Sequence, residues 1–296
     1  EIYMGDWSSD VCSSDLRSTR RSPGAPYRGR AGDKFSPDPE TDSNHYEQSG
    51  PVDFRSTYLR RVGGSTWHFL GNVPRMLPKD FKMQSTYGVG VDWPLCYCDL
   101  ESDYGEAENL LGVSGDHEQW QNLFGAYRNR PFPMSKIWES YSDRRVTPTI
   151  ESLTVHGRQL KVMNTPQARN SQIYDGRPAC AGNSSCVPIC PIQAKYDATV
   201  HVRKAEAAGA QLRTGAVVTK LVPAAGKATL ESVHYLDWNA QPHVVRGRMV
   251  VLAAHAIESA KLLLLSKIAN SSDQVGRNLM DHPYMEIGRA SCRERV

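Results

Sequence analysis

No stretch of these 296 residues is long and apolar enough to cross a bilayer as a helix. Such a span needs about 20 largely apolar residues. The longest apolar runs, Met249–Ala254 and Leu262–Leu265, suit a buried strand and one face of a helix. Charge of one sign is also scarce: the formal net charge is only +3. A nucleic-acid binder spreads basic charge over a folded face, and nothing of that kind is present. With no internal repeat and with Gly, Trp and Tyr well supplied, the composition is that of a globular chain rather than a repeat array.

Both ends read as foreign to the protein. Asp6–Leu16, DWSSDVCSSDL, and Ile287–Val296, IGRASCRERV, look like translated sequencing adapters, so residues 1–16 and 287–296 are set aside. Residues 1–16 also lack the basic start and apolar centre of an export signal. They carry −4 (Glu1, Asp6, Asp10, Asp15), and the last ten carry +2, leaving +5 for residues 17–286. Arg17, Arg20, Arg21, Arg28 and Arg30 account for all of that, so residues 31–286 are balanced. The expectation is an internal fragment of a longer gene. About 270 residues remain, enough for one large core or two domains.

Of the seven cysteines, three lie together in CAGNSSCVPIC, Cys180–Cys190, followed by Pro191. Pro188 and Pro191 exclude a regular helix. A loop that carries Cys180, Cys186 and Cys190 is suited to wrapping a soft metal centre. Iron–sulfur ranks first, because a Cys-Pro step also closes bacterial ferredoxin runs. Zinc ranks second, since its sites pair ligands two to four residues apart and need four of them. Structural thiols or a disulfide rank third.

Along the chain, Asp33–Ser49 is polar loop, and Phe54–Val62 alternates weakly before Gly63-Gly64-Ser65-Thr66. Paired glycines before two hydroxyl residues let backbone approach a ligand and offer donors to phosphate. Apolar spacing predicts a helix over Asp99–Leu111, facing inward through Leu100, Tyr104, Ala107, Leu110 and Leu111, with Gly112 as its stop. A second helix is expected over Tyr196–Ala208, ended by Gly209. Three alternating runs, Gln211–Val222, Thr229–Trp238 and His243–Ala253, predict an antiparallel meander. The last ends in MVVLAA, read as a strand buried on both faces, and a helix over Ala256–Ser266 follows to close a doubly wound sheet.

Five blocks in order then resemble the glucose–methanol–choline (GMC) family of flavin oxidoreductases: RVGGSTWHFLGNVPR from Arg61, YGVGVDWP from Tyr87, the cysteine loop, VVLAAHAIESAKLLLLS from Val250 and VGRNLMDH from Val275. The likeness is greatest to the large subunits of bacterial membrane-associated gluconate, sorbitol and fructose dehydrogenases. It implies an α/β fold with α+β elements, an incomplete GMC fold. That fold comprises an FAD-binding doubly wound domain with a β-meander and part of a substrate domain. The pieces would be 47–75 (FAD-binding), 76–170 (substrate or cap) and 171–286 (FAD-binding with the cysteine loop), with 17–46 as loop. The family's opening G-x-G-x-x-G turn and its C-terminal His pair are absent, so no residue here is assigned as catalytic. Cys98 stands where an acidic residue is typical.

By that resemblance, Gly63, Gly64, Ser65 and Thr66 would line the FAD pyrophosphate and ribityl chain. His68 would stand where some relatives tether the flavin covalently; the alternative is a histidine that only hydrogen-bonds near the ring. Val218 would meet the adenine by its backbone, or be an ordinary strand valine. Asn278 and Asp281 would pass close to the flavin, or serve as cap and turn residues. Cys180, Cys186 and Cys190 would hold a 3Fe–4S cluster, and Cys96 and Cys98 would be buried thiols outside it. The implied activity is oxidation of an alcohol carbon of a sugar, polyol or sugar acid. Electrons would pass through the cluster to a multihaem cytochrome c subunit, in the periplasm, with a small export-partner subunit. A cluster-free oxidase using oxygen and a non-enzymatic zinc-clipped module are the alternatives.

Overall fold

The computed structural model describes residues 2–4, 61–67, 69–182, 185–186, 189–226 and 229–279. His68 and Asp281, two of the expected site residues, lie outside them. The chain divides into two compact units, residues 8–210 and residues 211–296 together with 1–7.

The larger unit is organised around a short extended segment, Pro166–Asn170, which hydrogen-bonds to three neighbours. Val73 N donates to Pro166 O at 3.0 Å and Ala168 N to Gly71 O at 2.7 Å. Ser114 N and Gln167 N exchange bonds with each other's carbonyls, and Tyr196 N donates to Ala168 O at 2.8 Å. The core over this segment joins Val113, Phe132, Ala168, Tyr196 and Val200, with Phe69, Val73, Leu111 and Trp120 packed against it. This core draws Phe69 and Val73 from the piece expected at 47–75, Val113, Phe132 and Ala168 from 76–170, and Tyr196 and Val200 from 171–286, whose residues from 211 on pack in the smaller unit. A second cluster, Phe81, Tyr97 and Ala126, lies under Leu77, Leu95, Leu100 and Tyr104.

The helix expected at Asp99–Leu111 forms over Tyr97–Leu111, starting at a capping box in which the Asp99 carboxylate accepts from Cys96 N at 2.7 Å. Gly112 ends it in the left-handed region at φ 70°, its N–H bonding back to Glu108 O and Asn109 O. The expected inward face is borne out at Leu100, Tyr104 and Leu111, which pack on the two core clusters, but not at Ala107 and Leu110. Tyr97, Glu101, Gly105 and Glu108 are buried, whereas Ala107 and Leu110 are exposed. The cause is electrostatic: two arginines from outside the helix, Arg75 and Arg128, wait beneath it for carboxylates. Cys96 and Cys98, expected to be buried thiols, are instead joined by a disulfide, and Cys98 is exposed. The helix start sets their Cα atoms 5.3 Å apart, within bridging range.

The smaller unit holds the meander. Val217–Pro223, Leu230–Leu236 and Pro242–Val245 form an antiparallel sheet with Leu230–Leu236 in the middle, as the alternation predicts. Helix Ala256–Ser266 packs on it through Leu262, against Leu221 and Val233. Leu221 N also donates to the buried Ser266 hydroxyl at 2.9 Å, fixing the helix along the strand. The run MVVLAA does not form the expected buried strand. Met249 and Val251 are 79 and 80% exposed, and this run pairs with no strand among the described residues. Apolar alternation marks a segment suited to a sheet, but only a partner strand makes it one. Ile2–Met4 lies parallel to Gln211–Arg213. Such pairing uses main-chain groups alone, so a free strand edge accepts extended backbone of almost any sequence.

Candidate functional site

The glycine turn and the cysteine loop meet at one structural feature, the start of the helix Thr199–Ala207. Its capping residue, Ala198, has no side-chain oxygen to offer the free N–H groups of the first turn. Thr66 supplies one from across the chain: its Oγ1 accepts from Ala198 N at 2.9 Å while its hydroxyl donates to Gly63 O. Asp197, 4% exposed, accepts from Thr199 N at 3.0 Å and from the Thr199 hydroxyl, and Gln193 Nε2 holds its other oxygen at 2.9 Å.

Gly63–Trp67 is therefore a tightly docked turn. Gly63 has φ +88°, and a Cβ there would stand 2.7 Å from Trp67 Nε1 and 3.0 Å from Thr199 Cγ2. Glycine is demanded at 63 by this packing and by its backbone conformation. Gly64, also at positive φ, Ser65 and Thr66 remain half-buried.

Beneath the turn lies a residue that the sequence reading passed over. Lys195 is 2% exposed, and its ammonium donates to the carbonyls of Thr66 (3.2 Å), Trp67 (2.9 Å) and Phe69 (2.9 Å), over the Phe69 ring at 5.0 Å. Burial holds its pKa below the ordinary lysine value, partly offset by Asp197 and by the sulfurs of Cys190 and Cys186. The carbonyls on both sides of position 68 are thus fixed by one buried cation. The only signal in the sequence is a lysine set among residues of apolar character in QAKYDATV, which propensity alone cannot distinguish from a surface lysine.

The cysteine loop leaves and re-enters the core at the bridge between Arg169 and Lys195. Cys180 N donates to Asn170 O at 2.8 Å, and the fully buried Asn170 donates through Nδ2 to the carbonyls of Tyr174 (3.0 Å) and Arg177 (2.9 Å). Arg177, also buried, reaches Leu111 O at 2.8 Å and so ties the loop to the end of the helix Tyr97–Leu111. Between these anchors Cys180, Cys186 and Cys190 are free thiols, each half-buried, on backbone with no helix or strand. Donors point at two of the sulfurs: Arg169 Nη1 lies 3.3 Å from Cys186 Sγ, and Gly182 N lies 3.4 Å from Cys180 Sγ. Three thiols, two of them met by N–H groups, beside the cations of Arg169 and Lys195 fit anionic, metal-bound sulfur better than neutral thiol.

Residues 137–284 match the GMC oxidoreductase family. Over 251 residues the chain is 41% identical to the fructose dehydrogenase large subunit of Gluconobacter japonicus, covering 82% of this chain and 45% of that protein. The chain belongs to the GMC oxidoreductase family. It is also 30% identical to 2-methyl-1,2-propanediol dehydrogenase of Mycolicibacterium austroafricanum, over 77% of this chain and 42% of that one. Identity to 6'''-hydroxyparomomycin C oxidase of Streptomyces lividus is 32%, over 78% and 41% respectively. The chain spans less than half the length of each of these relatives.

The remaining expected site residues lie in the smaller unit. Val218 is half-buried in the strand Val217–Pro223, opposite Tyr235, with its side chain against the local core. Asn278 is exposed at φ 58° and donates to Gln274 Oε1 at 2.9 Å, as a turn residue does. The larger unit therefore brings together Gly63–Thr66 and the segment carrying the cysteines, whereas Val218 and Asn278 belong to a separate unit.

Proposed function

We propose that this chain is part of an FAD-dependent dehydrogenase that oxidises an alcohol carbon of a sugar, polyol or sugar acid. Electrons would leave through a 3Fe–4S cluster to a cytochrome c partner. The observation that carries this reading is the set of three free, half-buried thiols, with donors aimed at the sulfurs of Cys180 and Cys186, in a chain of the GMC family. Bound FAD would accept the hydride from the substrate carbon, and the cluster would pass electrons on singly.

The chain's own contribution is binding and positioning. Gly63 and Gly64 allow main chain to come close to a ligand. The Thr66 hydroxyl is committed to Gly63 O and Ala198 N, so Thr66 would meet FAD by its backbone rather than by its hydroxyl. Lys195 holds the carbonyls flanking His68, the candidate tether. Cys180, Cys186 and Cys190 would ligate the cluster. A single zinc at about 2.3 Å from each sulfur would hold tetrahedral thiolates within roughly 4 Å of one another. The three sulfurs are not gathered inside 4.8 Å, whereas Cys96, Cys98 and Asp99 are the one such group among the described residues.

The Cys96–Cys98 disulfide suits an oxidising compartment, which supports a periplasmic location. No helix among the described residues is long and apolar enough to span a membrane, so membrane association would come through the partner subunit. The resemblance to a large subunit supports a multi-subunit complex, to which a small export-partner subunit would belong.

The test is purification of the full-length gene product with its neighbouring subunits, followed by absorbance and low-temperature EPR. The expected result is a flavin spectrum with an oxidised 3Fe–4S signal that disappears in Cys186→Ser. Flavin without iron, together with hydrogen peroxide formed during turnover, would instead establish a cluster-free oxidase; the Streptomyces lividus relative is named an oxidase.

A further inference from the structure

Two cations face each other at the neck of the cysteine loop. Arg169 and Lys195 are partners in an antiparallel bridge, flanked by Tyr196 N to Ala168 O at 2.8 Å and Asn170 N to Ala194 O at 2.9 Å. The bridge closes the excursion that carries all three cysteines. From it the Lys195 side chain runs to the carbonyls of the glycine turn, while Arg169 turns towards the thiols.

Arg169 Nη1 donates to Cys186 Sγ at 3.3 Å. Its Nε is buried with no hydrogen-bond partner, and no carboxylate pairs with the guanidinium among the described residues. A buried orphan donor on an uncompensated cation is costly. The arrangement becomes favourable when the sulfurs it faces carry negative charge.

We propose that Arg169 is a positioning residue that sets the reduction potential of the cluster held by Cys180, Cys186 and Cys190. This rests on the cluster assignment made above. A cluster that gains one electron places more negative charge on its thiolate sulfurs, and a guanidinium bonded to one of them stabilises the reduced form over the oxidised form. The bias raises the potential. Lys195, buried on the same bridge, adds a second positive field without touching a sulfur.

The test uses the full-length flavoprotein with its subunits, as wild type, Arg169→Gln and Arg169→Lys. Iron content and the oxidised-cluster EPR signal are measured first. The midpoint is then found by EPR-monitored titration with dithionite and ferricyanide through redox mediators. Arg169→Gln is expected to keep the iron and lower the midpoint by about tenfold in the one-electron equilibrium, about 59 mV. Arg169→Lys keeps the charge but not the forked geometry and should fall between the two.

A wild-type protein with flavin and no iron overturns the cluster assignment itself. A wild-type cluster whose midpoint is unmoved in Arg169→Gln leaves that assignment standing and overturns the role of Arg169. Should Arg169→Gln fail to assemble a cluster, Arg169→Lys decides: a midpoint equal to wild type overturns the inference, and a lowered one supports it. A merely structural role would change the iron content and leave the midpoint of the remaining clusters where it was.

Discussion

Replacing Glu108 by glutamine should be among the most damaging single changes in the larger unit. Glu108 is 5% exposed and sits between two guanidiniums that are themselves 7% exposed. Arg75 grips it bidentately, Nε to Oε1 at 2.9 Å and Nη2 to Oε2 at 3.0 Å. Arg128 does the same from the other side, with Nη1 to Oε1 at 2.9 Å and Nη2 to Oε2. Arg75 also reaches Glu101 Oε1 at 3.1 Å and Tyr97 Oη at 2.9 Å. Two buried arginines are thus balanced by two buried glutamates. Glutamine at 108 keeps the shape but leaves one uncompensated positive charge, and its NH₂ points donors at donors.

Removing one partner of a buried ion pair costs about 3–5 kcal/mol, because the charge left behind cannot recover its hydration. Domains are stable by only about 5–15 kcal/mol, so a large share of the margin would be lost. For a unit of this size each kcal/mol moves the unfolding midpoint by roughly 2–4 °C, giving an expected fall of about 6–20 °C. The assay is a thermal scan of the full-length flavoprotein, compared with Glu106→Gln. Glu106 pairs with Arg130 in solvent, both side chains being more than half exposed, and its loss should cost about 0–1 kcal/mol. Equal midpoints for the two variants would refute the reasoning, since burial would then not be what makes the Glu108 pairings matter.

Two further predictions concern the same unit. Gly63→Ala should displace the turn that docks Thr66 on Ala198, because the new methyl would lie 2.7 Å from Trp67 Nε1 in a backbone conformation alanine avoids; a loss of roughly 1–3 kcal/mol, with weaker flavin retention on gel filtration, is expected. Acid should weaken the arginine–glutamate network. Burial pushes the Glu101 carboxyl up, but the Asn129 N–H and the Arg75 guanidinium outweigh it and hold the pKa below the ordinary 4.5. A depressed folded-state pKa means that this stabilisation is fully present above about pH 4.5 and is lost as pH falls through the lower folded value. Unfolding midpoints between pH 7 and 3 should show that decline, and Asn129→Ala, which removes the Nδ2 bond to Glu101 Oε2 but keeps the backbone N–H, should reduce it slightly.

What the sequence made legible was periodic. The helices near Tyr97–Leu111 and Ala256–Ser266, the three-stranded meander and the glycine stop at Gly112 all follow from spacing and caps. Only part of the inward face of the first helix followed: Leu100, Tyr104 and Leu111 pack inward as the spacing predicts, but hydrophobic spacing cannot register a stripe of Tyr97, Glu101 and Glu108 that is buried by arginines 20 to 33 residues away. MVVLAA reads as strand, but pairing is a property of a neighbour and not of the run itself. At the site, cysteine spacing marked the loop, and the paired glycines marked the turn. The cations that organise both, Arg169 and Lys195, carry no local signature. Their roles depend on a bridge between residues that the cysteine loop separates.

That bridge explains how irregular backbone can serve as a rigid site. Neither the turn Gly63–Trp67 nor the loop with the cysteines has a ladder of its own, so each must satisfy its main-chain groups by other means. The turn gives its carbonyls to Lys195 and its threonine to the first turn of the helix Thr199–Ala207. The loop gives its carbonyls to Asn170 and its entry N–H to the same residue's backbone. Both sets of anchors stand on two strands paired at Ala168–Asn170 and Ala194–Tyr196. A shift of that pairing by one residue would turn one segment over relative to the other, so that Arg169 and Lys195 no longer shared a face. It would release either the carbonyls around position 68 or the hydrogen bond to Cys186, according to which segment slipped. The segment proposed to meet the flavin and the loop proposed to hold the cluster are therefore positioned as a single piece, the condition under which electrons pass between two centres at a fixed separation.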